Sequence, residues 1–456
     1  MMCSQAEIKL SETESVCPEC LARIPASRVA VGRDVYMTKS CPEHGPFSAI
    51  LWRGDPSYIS WTRPKIPCSP SNPNTQKNLG CPFDCGLCPE HRQQTCVALL
   101  EVTQRCNLSC SYCFADSHCQ NKPDPDLSVV RSWYETLLAT GHPCNVQLSG
   151  GEPTLRDDLP AIIALGKEFG VQFIQLNTNG LRLAQDPSFA KCLKEAGLSS
   201  VFLQFDGISD DVYRNMRGKS LLQTKLEAIR ICDVLELGVI LVPTLVPAVN
   251  MRQIGSIIRF AIDNVKVIRG VHFQPVSYFG RYPNTPAEED RLTLPEVIKN
   301  IEIQTDGLIK SESFRPPGCE NALCSFHGNF VVLPQGRVKA LTRYKVTNSC
   351  CEFERAEEGA AKARDFVAER WRYPIQDHFS EQQNSFSFGE WDILLERTRT
   401  HSLCISGMAF QDAWNLDLER LKDCCVHVVT TDGKLVPFCA YNLTGSRGHS
   451  IYRLRS

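Results

Sequence analysis

Short apolar segments alternate with helix-length amphipathic segments through the middle of the chain. The apolar segments are rich in β-branched and aromatic residues, and they span residues 98–103, 145–150, 171–180, 201–207, 239–246 and 270–277. The amphipathic segments between them include residues 128–140 and 219–237. Strands that alternate with helices predict parallel βα units, and strands that are apolar almost throughout suit a sheet covered on both faces. The pattern therefore predicts an α/β fold, a partial (β/α)6 TIM-like barrel, with its functional residues at the carboxyl ends of the strands.

The segments on either side of this core have different patterns and divide the chain into four expected parts. An N-terminal metal ribbon (1–66) precedes a proline-rich linker with a cysteine motif (67–97). The barrel occupies residues 98–300, and a cysteine-rich α+β extension follows it (301–456). Two parts of the extension, residues 330–344 and 427–441, each read as strand, glycine-containing turn and strand, which predicts two β-hairpins.

Composition and charge describe an ordinary globular protein. Of the 456 residues, 43% are hydrophobic and 22% are charged, and the formal net charge is −2. This balance gives no electrostatic reason to expect a nucleic-acid partner or binding to an anionic membrane surface. No window reaches the ~20 consecutive apolar residues of a membrane-spanning helix, and the first residues carry charges where a signal peptide is apolar. We therefore expect a cytoplasmic protein without a transmembrane segment.

Cysteine is the exception to this composition, because the chain has 24 of them. In a chain of this length without a secretion signal, clustered thiols more often bind metal than form disulfides. The first cluster consists of the motifs CPEC (17–20) and CPEH (41–44), and each turn aims two ligands at one ion. The predicted ligands of this zinc-ribbon or rubredoxin-like site are Cys17, Cys20, Cys41 and His44. Three thiolates and one imidazole favour zinc over a mononuclear iron.

A cysteine triplet directly follows the first predicted strand, and it consists of Cys106, Cys110 and Cys113. Three thiolates leave one iron of a 4Fe–4S cube open for another ligand, whereas four close it. The second predicted strand ends in the motif GGEP, residues 150–153, whose glycines allow a close backbone approach to a ligand. Both features follow strands at the carboxyl end of the barrel, where we expect the site.

The triplet with an aromatic residue before its last cysteine, followed by GGEP, resembles the radical S-adenosylmethionine (SAM) superfamily. The resemblance implies a 4Fe–4S cluster on the triplet, SAM on its open iron and the methionine ammonium on the GGEP strand. It also implies that the cluster, reduced by a low-potential donor of the ferredoxin or flavodoxin type, cleaves SAM to a 5′-deoxyadenosyl radical that abstracts hydrogen. The expected SAM-binding residues besides the thiols are Tyr112, Gly150, Gly151, Glu152, Pro153, Asn179 and Asp206. For Asn179 and Asp206, ordinary turn chemistry at strand ends is the alternative to a contact with ribose or methionine.

The remaining clustered cysteines are expected to hold auxiliary iron–sulfur clusters. An upstream triplet follows the proline-rich linker, and the expected ligands there are Cys81, Cys85, Cys88 and Cys96. A zinc site is the alternative for this group. The two hairpins of the extension are expected to bring together Cys319, Cys324, Cys425 and Cys439. Cys424 and Cys404 are the alternatives in this second group.

Motifs along the whole chain resemble one branch of the superfamily, the archaeal tetraether lipid synthases and related proteins described as 7,8-dihydro-6-hydroxymethylpterin methyltransferases. The motifs are VYMTKSCPEHG near the start, CPFDCGLCPEH before the SAM triplet and FQDAWNLDLERLKDCCVHVV near the end. The first expectation from this resemblance is carbon–carbon bond formation between lipid alkyl chains, with peripheral membrane contact. The alternative is methylation of a pterin or another heteroaromatic molecule. A third hypothesis, a scaffold or electron carrier, is disfavoured because such a protein has no use for an open iron.

The lipid and pterin hypotheses predict different pockets. A lipid substrate requires a long apolar tunnel, whereas a pterin requires a small polar pocket. The chain is shorter than the lipid enzymes it resembles, mostly in its C-terminal half, and no residue of an acyl tunnel is identifiable in it. The charged segment 207–220, which follows the fourth strand, is predicted to be a solvated loop.

Overall fold

The computed structural model describes residues 6–117, 123–344, 353–374 and 390–453. Its N-terminal part is a four-stranded antiparallel sheet in which the strands follow the order of the chain. The strands are β1 (Glu7–Val16), β2 (Arg23–Val31), β3 (Asp34–Cys41) and β4 (Gly45–Trp52). The motif CPEC lies between β1 and β2, and CPEH lies between β3 and β4. Both turns are therefore at the same end of the sheet.

A second, larger sheet contains the six strands that the hydrophobic pattern predicts, and all six are parallel. They are β5 (Val97–Thr103), β6 (Asn145–Gly150), β7 (Ile174–Thr178), β8 (Ser200–Gln204), β9 (Gly238–Val242) and, after the short β10 (Thr244–Leu245), β11 (Ile268–Pro275). The helices that accompany them are α1 (Leu127–Ala139), α2 (Leu159–Glu168), α3 (Leu181–Gln185), α4 (Pro187–Glu195), α5 (Asp210–Arg217), α6 (Leu222–Val234), α7 (Pro247–Asn250), α8 (Ile254–Asp263) and α9 (Leu294–Gln304). The predicted fold class is confirmed.

Helix α1 shows why the amphipathic segments fold onto this sheet. The Asp126 side chain caps the helix by accepting hydrogen bonds from the backbone N–H groups of Ser128 at 2.9 Å and Val129 at 3.0 Å. Its buried side chains follow the i, i+3, i+4, i+7 spacing of one helix face: Val130, Trp133, Tyr134 and Leu137. This apolar face joins the core that also contains the inward residues of β5 and β6.

The C-terminal extension adds strands to the same sheet. Its elements are β12 (Ser325–Val332), β13 (Val338–Ala340), α10 (Ala356–Arg370), α11 (Glu390–Thr400), β14 (Ser402–Met408), α12 (Leu418–Lys422), β15 (Val426–Val429), β16 (Leu435–Pro437) and α13 (Phe438–Tyr441). The strand order is β13-β12-β14-β11-β9-β8-β7-β6-β5-β15-β16. Because β14 runs parallel to β11 and β15 runs parallel to β5, the parallel part is longer than the six predicted strands.

The two expected hairpins are present as the antiparallel pairs β12–β13 and β15–β16. They flank the parallel strands at opposite ends of the strand order. The segments that precede β12 and β15 nevertheless meet, since the sulfur atoms of Cys319 and Cys425 are 3.4 Å apart. No helix in the described part of the chain has the length and apolar character that crossing a bilayer requires.

The segment 207–220 is not the solvated loop that its charges predict, because it contains helix α5. Val212, Tyr213 and Met216 form a buried face on this helix, and Arg217 at its end is also buried. The charged residues of the first turn occupy the other side of the helix. Alternation of charged and apolar residues at helical spacing was the signal for this element.

Candidate active site

The loop with the cysteine triplet and the GGEP motif lie side by side at the carboxyl ends of β5 and β6. The backbone N–H of Gly151 donates a hydrogen bond to the carbonyl oxygen of Thr103 at 2.8 Å. The backbone N–H of Glu152 donates in the same way to the carbonyl oxygen of Arg105, also at 2.8 Å. These two bonds hold the GGEP turn against the chain segment that leads into Cys106.

This contact explains why the motif needs two glycines. A Cβ atom on Gly150 would lie 2.0 Å from the carbonyl oxygen of Thr103, and one on Gly151 would lie 2.1 Å from that of Arg105. Gly150 also has a φ of +120°, a conformation that L-residues with a side chain rarely adopt. Any larger residue would therefore push the two loops apart.

The thiols of Cys106, Cys110 and Cys113 line a cavity of ≈ 220 Å³ together with the GGEP turn. Burial is the largest cause that raises the pKa of Cys106 to about 12, and the nearby carboxylate of Glu152 raises it further. Burial also raises the pKa of Cys113. Thiolates in such surroundings require a cation beside them, which is what a bound iron–sulfur cluster provides.

Glu152 lines the cavity, but its carboxylate is also held by the protein itself. One oxygen accepts hydrogen bonds from the hydroxyl groups of Thr154 at 2.5 Å and Thr178 at 2.6 Å. The other accepts from the backbone N–H of Asn179 at 2.7 Å. Glu152 therefore organises the ends of β6 and β7, and an ammonium group would bind in addition to these donors.

Asn179 lies in the same cavity, where it joins the end of β7 to the cysteine loop. Its side-chain N–H donates to the side-chain oxygen of Asn107 at 2.7 Å, and its own side-chain oxygen accepts from the backbone N–H of Leu181 at 3.0 Å. The second contact is the turn chemistry that was the alternative interpretation for this residue. A contact of Asn179 with ribose stays a prediction.

Asp206 is fully buried and pairs with an arginine. The guanidinium of Arg217 donates to both carboxylate oxygens, each at 2.8 Å, and the backbone N–H of Thr244 donates to one of them at 3.1 Å. Arg217 in turn lines the cavity and donates to the carbonyl oxygen of Tyr112 at 3.3 Å. Burial opposes the charge of this guanidinium, but the Asp206 carboxylate and the Cys110 thiolate outweigh burial and raise the pKa of Arg217.

Arg217 was missed in the sequence because the segment 207–220 was interpreted as a solvated loop. Its place at the end of a helix with a buried apolar face was the available signal. Arg217 lies between Asp206 and the cysteine loop, and a contact of Asp206 with ribose or methionine stays a prediction.

The cavity continues into the barrel, where its polar lining comes from amide side chains on β6, β7, β8 and β11. These are Gln147, Asn177, Gln204 and Gln274. Asn177 donates to the side-chain oxygen of Gln147 at 3.3 Å, and Gln147 donates to that of Gln175 at 2.7 Å. The side-chain oxygen of Asn177 is buried and, within the described residues, accepts no hydrogen bond. This amide row therefore contains an acceptor without a partner beside the cavity.

Aromatic rings form another wall of the same cavity. The rings of Phe410 and Phe438 are 4.5 Å apart between centroids, and Phe114 and Phe279 contact Phe438 from other sides at 5.4 and 6.1 Å. All four side chains line the cavity. Phe410 and Phe438 come from the C-terminal extension, so the extension contributes directly to the site.

The four expected ligands of the N-terminal ribbon come together. The Nδ1 atom of His44 is 3.6 Å from the sulfur of Cys17 and 3.4 Å from that of Cys41, and the sulfurs of Cys20 and Cys41 are 4.0 Å apart. All four ligand atoms lie within 4.8 Å of one another. The His44 imidazole lowers the pKa of Cys41 to about 6, whereas burial raises that of Cys17 to about 11. Three sulfurs and one nitrogen at this spacing fit a tetrahedral zinc ion.

Cys96 lies apart from the group in which we expected it. Its sulfur lies within 4.8 Å of those of Cys319 and Cys425, and its backbone N–H donates to the carbonyl oxygen of Cys425 at 2.9 Å. The reason is sheet pairing: Val426 in β15 pairs with Val97 in β5, so the residues that precede these two strands are neighbours.

The upstream triplet keeps two of its thiols in contact. A contact with Cys85 raises the pKa of Cys81 to about 12.

The expected C-terminal group is also divided differently. Burial, and to a smaller extent the thiols of Cys439 and Cys324, raise the pKa of Cys424. Arg420 donates to the sulfur of Cys324 at 3.3 Å, and the backbone N–H of Gln411 donates to that of Cys439, also at 3.3 Å. Cys319 and Cys425 therefore lie with Cys96, whereas Cys324, Cys424 and Cys439 are not part of a compact ligand group among the described residues.

Comparison with known proteins agrees with this site. Residues 100–261 match the family model of the radical SAM superfamily, and residues 9–53 match that of the HMPTM N-terminal zinc ribbon domain. The first match begins in β5 and ends in α8, so it includes both the cysteine loop and the GGEP turn. The chain belongs to the radical SAM superfamily.

Within that superfamily, the chain is 36% identical to the 7,8-dihydro-6-hydroxymethylpterin dimethyltransferase of Methanocaldococcus jannaschii over 471 aligned residues. The alignment covers 94% of this chain and 93% of that protein. It is also 37% identical to the Fe-coproporphyrin III synthase of Methanosarcina barkeri, over 27% of this chain and 30% of that one. Among solved structures, Streptococcus suis SuiB bound to S-adenosylmethionine matches 47% of this chain and 48% of its own at 16% identity and a TM-score of 0.38.

The residues of this site fit the cofactors of the superfamily. The protein is a radical SAM enzyme, which uses a 4Fe–4S cluster and SAM, and it carries a zinc ribbon at its N-terminus. Cys106, Cys110 and Cys113 come from one loop and line the cavity, and no fourth cysteine of the described residues lines it, which leaves one iron of a cube open. The GGEP turn forms the adjoining wall.

Proposed function

We propose that this protein is a radical SAM methyltransferase that acts on a reduced pterin of the 7,8-dihydro-6-hydroxymethylpterin class. The similarity to a pterin dimethyltransferase over nearly the whole of both chains supports this proposal. The structural observation that supports the proposal most strongly is the row of amide side chains inside the barrel.

A pterin suits this cavity because it is a flat heteroaromatic molecule with an edge of alternating hydrogen-bond donors and acceptors. The side-chain oxygen of Asn177 is buried without a partner among the described residues, and a turn of this side chain toward the cavity would let it accept from an N–H group on that edge. Gln204 and Gln274 offer further amide groups from neighbouring strands. The phenylalanine cluster around Phe438 provides apolar faces for the ring system.

The same row of amide side chains is unfavourable for a lipid substrate and so argues against lipid carbon–carbon coupling. An alkyl chain offers no hydrogen bond, so each amide N–H or oxygen that it shields from water without a protein partner would cost about 1–3 kcal/mol. The similarity over the full chain also points to methyl transfer rather than to lipid coupling. We therefore prefer the heteroaromatic substrate.

The cofactors supply the radical chemistry, since a reduced cluster cleaves bound SAM and so enables hydrogen abstraction from an unactivated carbon. The protein's own residues bind and orient the reactants. Gly150 and Gly151 allow the GGEP backbone to approach the thiols, Arg217 places a positive charge beside them, and the amide row holds the substrate edge. The methyl donor is SAM itself or a folate.

An anaerobic assay tests this proposal. The reconstituted enzyme is incubated with SAM, a low-potential reductant and 7,8-dihydro-6-hydroxymethylpterin, with and without a folate that carries a one-carbon unit, and methylated pterin and 5′-deoxyadenosine are measured by mass spectrometry. We expect a mass gain of one or two methyl groups, and SAM labelled with ¹³C in its methyl group distinguishes the two donors. A parallel incubation offers an ether lipid. Lipid-dependent release of 5′-deoxyadenosine without any modification of the pterin would overturn the proposal.

A further inference from the structure

A second group of buried metal-ligand side chains lies outside the SAM cavity. It comprises the thiols of Cys96, Cys319 and Cys425, whose sulfur atoms all lie within 4.8 Å of one another. They come from three distant parts of the chain, which meet where the segments before β5, β12 and β15 converge. The three residues are 4%, 8% and 2% exposed, respectively, so this group is closed to solvent.

A carboxylate lies beside this group, close to two of its three sulfur atoms but not within 4.8 Å of all three. The Oε2 atom of Glu320 is 2.7 Å from the sulfur of Cys319 and 3.8 Å from that of Cys425, and Glu320 is only 8% exposed. The other oxygen, Oε1, accepts a hydrogen bond from the Ser325 hydroxyl, which fixes the orientation of the carboxylate. Carboxylate oxygen is an established ligand type for zinc and for other divalent metals.

The backbone of this loop is fixed as firmly as the ligands. The Lys65 ammonium donates to the carbonyl oxygen of Cys319 at 2.7 Å and to that of Glu320, and the side chain of Gln93 donates to the Cys319 carbonyl at 2.6 Å. Lys65 also brings a positive charge close to a set of groups that would carry four negative charges as ligands. Buried anions at this density require a cation among them.

The spacing of the sulfur atoms indicates how many metal ions this group holds. Four ligands around one tetrahedral zinc ion, with bonds of ~2.3 Å to sulfur, lie ~3.8 Å apart. The Cys319–Cys425 distance is 3.4 Å, and the ligand atoms of the zinc ribbon are spaced from 3.4 to 4.0 Å where their distances are known. Within the described ranges, the zinc ribbon and the Cys96–Cys319–Cys425 group are the only sets of three or more candidate ligands whose atoms all lie within 4.8 Å of one another. The SAM triplet is not such a set. In a 4Fe–4S cube each thiolate binds a different iron, so its sulfur atoms lie farther apart than the ligands of a single ion. The sulfur atoms of the SAM triplet are spaced in this wider way.

We infer that Cys96, Cys319 and Cys425 bind one thiophilic divalent cation, Zn²⁺ or Fe²⁺, and that the neighbouring Glu320 carboxylate turns toward the ion to become the fourth ligand. This assignment differs from an auxiliary iron–sulfur cube and is independent of the substrate. It gives the ion a structural role, because its ligands tie the start of the barrel to both hairpins of the extension.

Metal analysis of the anaerobically purified full-length enzyme tests this inference. Zinc, iron and acid-labile sulfide are measured in the wild type, Cys425→Ser, Glu320→Gln and the control Glu354→Gln, whose carboxylate pairs with Arg63 at 2.9 Å outside the group. We expect Cys425→Ser to lose one metal ion per chain without any loss of sulfide. We expect Glu320→Gln to release the same ion to a chelator at least about tenfold faster than the wild type, because a ligand is lost. Glu354→Gln is expected to release it at the wild-type rate.

Two results would overturn the inference. Loss of iron and sulfide together from Cys425→Ser would show a cluster at this site instead of a single ion. Release from Glu320→Gln no faster than from Glu354→Gln would remove Glu320 from the ligand set. Glu320→Gln preserves side-chain size, and SAM binding by each variant verifies that the barrel is folded. If Cys425→Ser does not fold, replacement of the native metal by Co²⁺ in the wild type provides a second measurement. Thiolate-to-cobalt absorption from two single-ion sites supports the inference. Absorption from the zinc ribbon alone contradicts it.

Discussion

Arg217 and Asp206 form a buried ion pair through two hydrogen bonds of 2.8 Å, and the guanidinium of this pair faces the cysteine triplet. The carboxylate is completely buried and the arginine is 3% exposed. Asp206 therefore keeps a positive charge next to Cys110 and the Tyr112 carbonyl, where a cluster and its ligands carry negative charge. The pair links the end of β8 to the end of α5 and fixes one side of the active site.

Removal of one partner should be costly, because it leaves the other charge buried and unpaired. We expect Asp206→Asn to lower the free energy of unfolding by about 3–5 kcal/mol. The control is Arg230→Ala, which breaks an exposed pair with Glu227 whose side chains are 59% and 38% exposed. That change should cost at most ~1 kcal/mol. Denaturant unfolding under anaerobic conditions measures both, and equal losses would refute the structural role of the buried pair.

Gly151→Ala should separate the GGEP turn from the cysteine loop. The added methyl group would lie 2.1 Å from the carbonyl oxygen of Arg105, so the backbone must move. We expect SAM binding to weaken strongly in an equilibrium assay while the zinc content is retained. Gly170→Ala is the control, because nothing lies within 4 Å of its new atom and only its φ of +80° opposes a side chain. It should lose roughly 1 kcal/mol of stability and keep SAM affinity. Equal SAM affinity in the two variants would contradict this account of the motif.

Asn177→Leu tests the amide row as the substrate-binding element. With its acceptor removed, we expect the KM for the pterin to rise by roughly tenfold or more. Substrate-independent cleavage of SAM should stay close to the wild-type rate. Asn329→Leu is the control, because Asn329 also has a buried side-chain oxygen without a partner among the described residues but does not line the cavity. A similar change of KM in both variants would argue against a substrate contact at Asn177.

His272 should make stability depend on pH. Burial lowers its pKa to about 4, while the unfolded chain has the ordinary value of about 6.5. As the pH falls from about 6.5 to about 4, the unfolded state takes up a proton that the folded state does not, so stability is lost over this window. We expect His272→Gln to reduce the slope of stability against pH by up to ~1.4 kcal/mol per pH unit. The exposed His449→Gln is the control, and identical slopes in all three proteins would contradict the burial effect.

The hydrophobic pattern was sufficient to predict the six central strands, because each is a short apolar run bounded by polar segments. The cysteine loop and the GGEP turn could also be predicted to meet, since both follow neighbouring parallel strands. Local sequence patterns are enough to place these two loops at the ends of neighbouring strands. The hydrogen bond from Gly151 to Thr103, which joins the loops, follows from the pairing of β5 with β6.

The grouping of the other cysteines depends on pairing between distant segments, which local patterns do not record. Cys96 is close in sequence to Cys88, but it joins Cys425 because β15 adds to the edge of β5. Glu320 gave no signal of its own in the sequence, since a carboxylate beside a cysteine is common on protein surfaces. Arg217 was hidden by the charges around it until the helix that carries it was known.

The most direct test of the central claim replaces the three cysteines of the SAM triplet together. The Cys106→Ala, Cys110→Ala, Cys113→Ala variant and the wild type are reconstituted anaerobically, and iron, sulfide, zinc and 5′-deoxyadenosine are measured in both. We predict that the variant lacks one cube and all cleavage of SAM but retains its zinc. Cleavage at the wild-type rate in this variant would contradict the assignment of the triplet as the cluster that binds SAM.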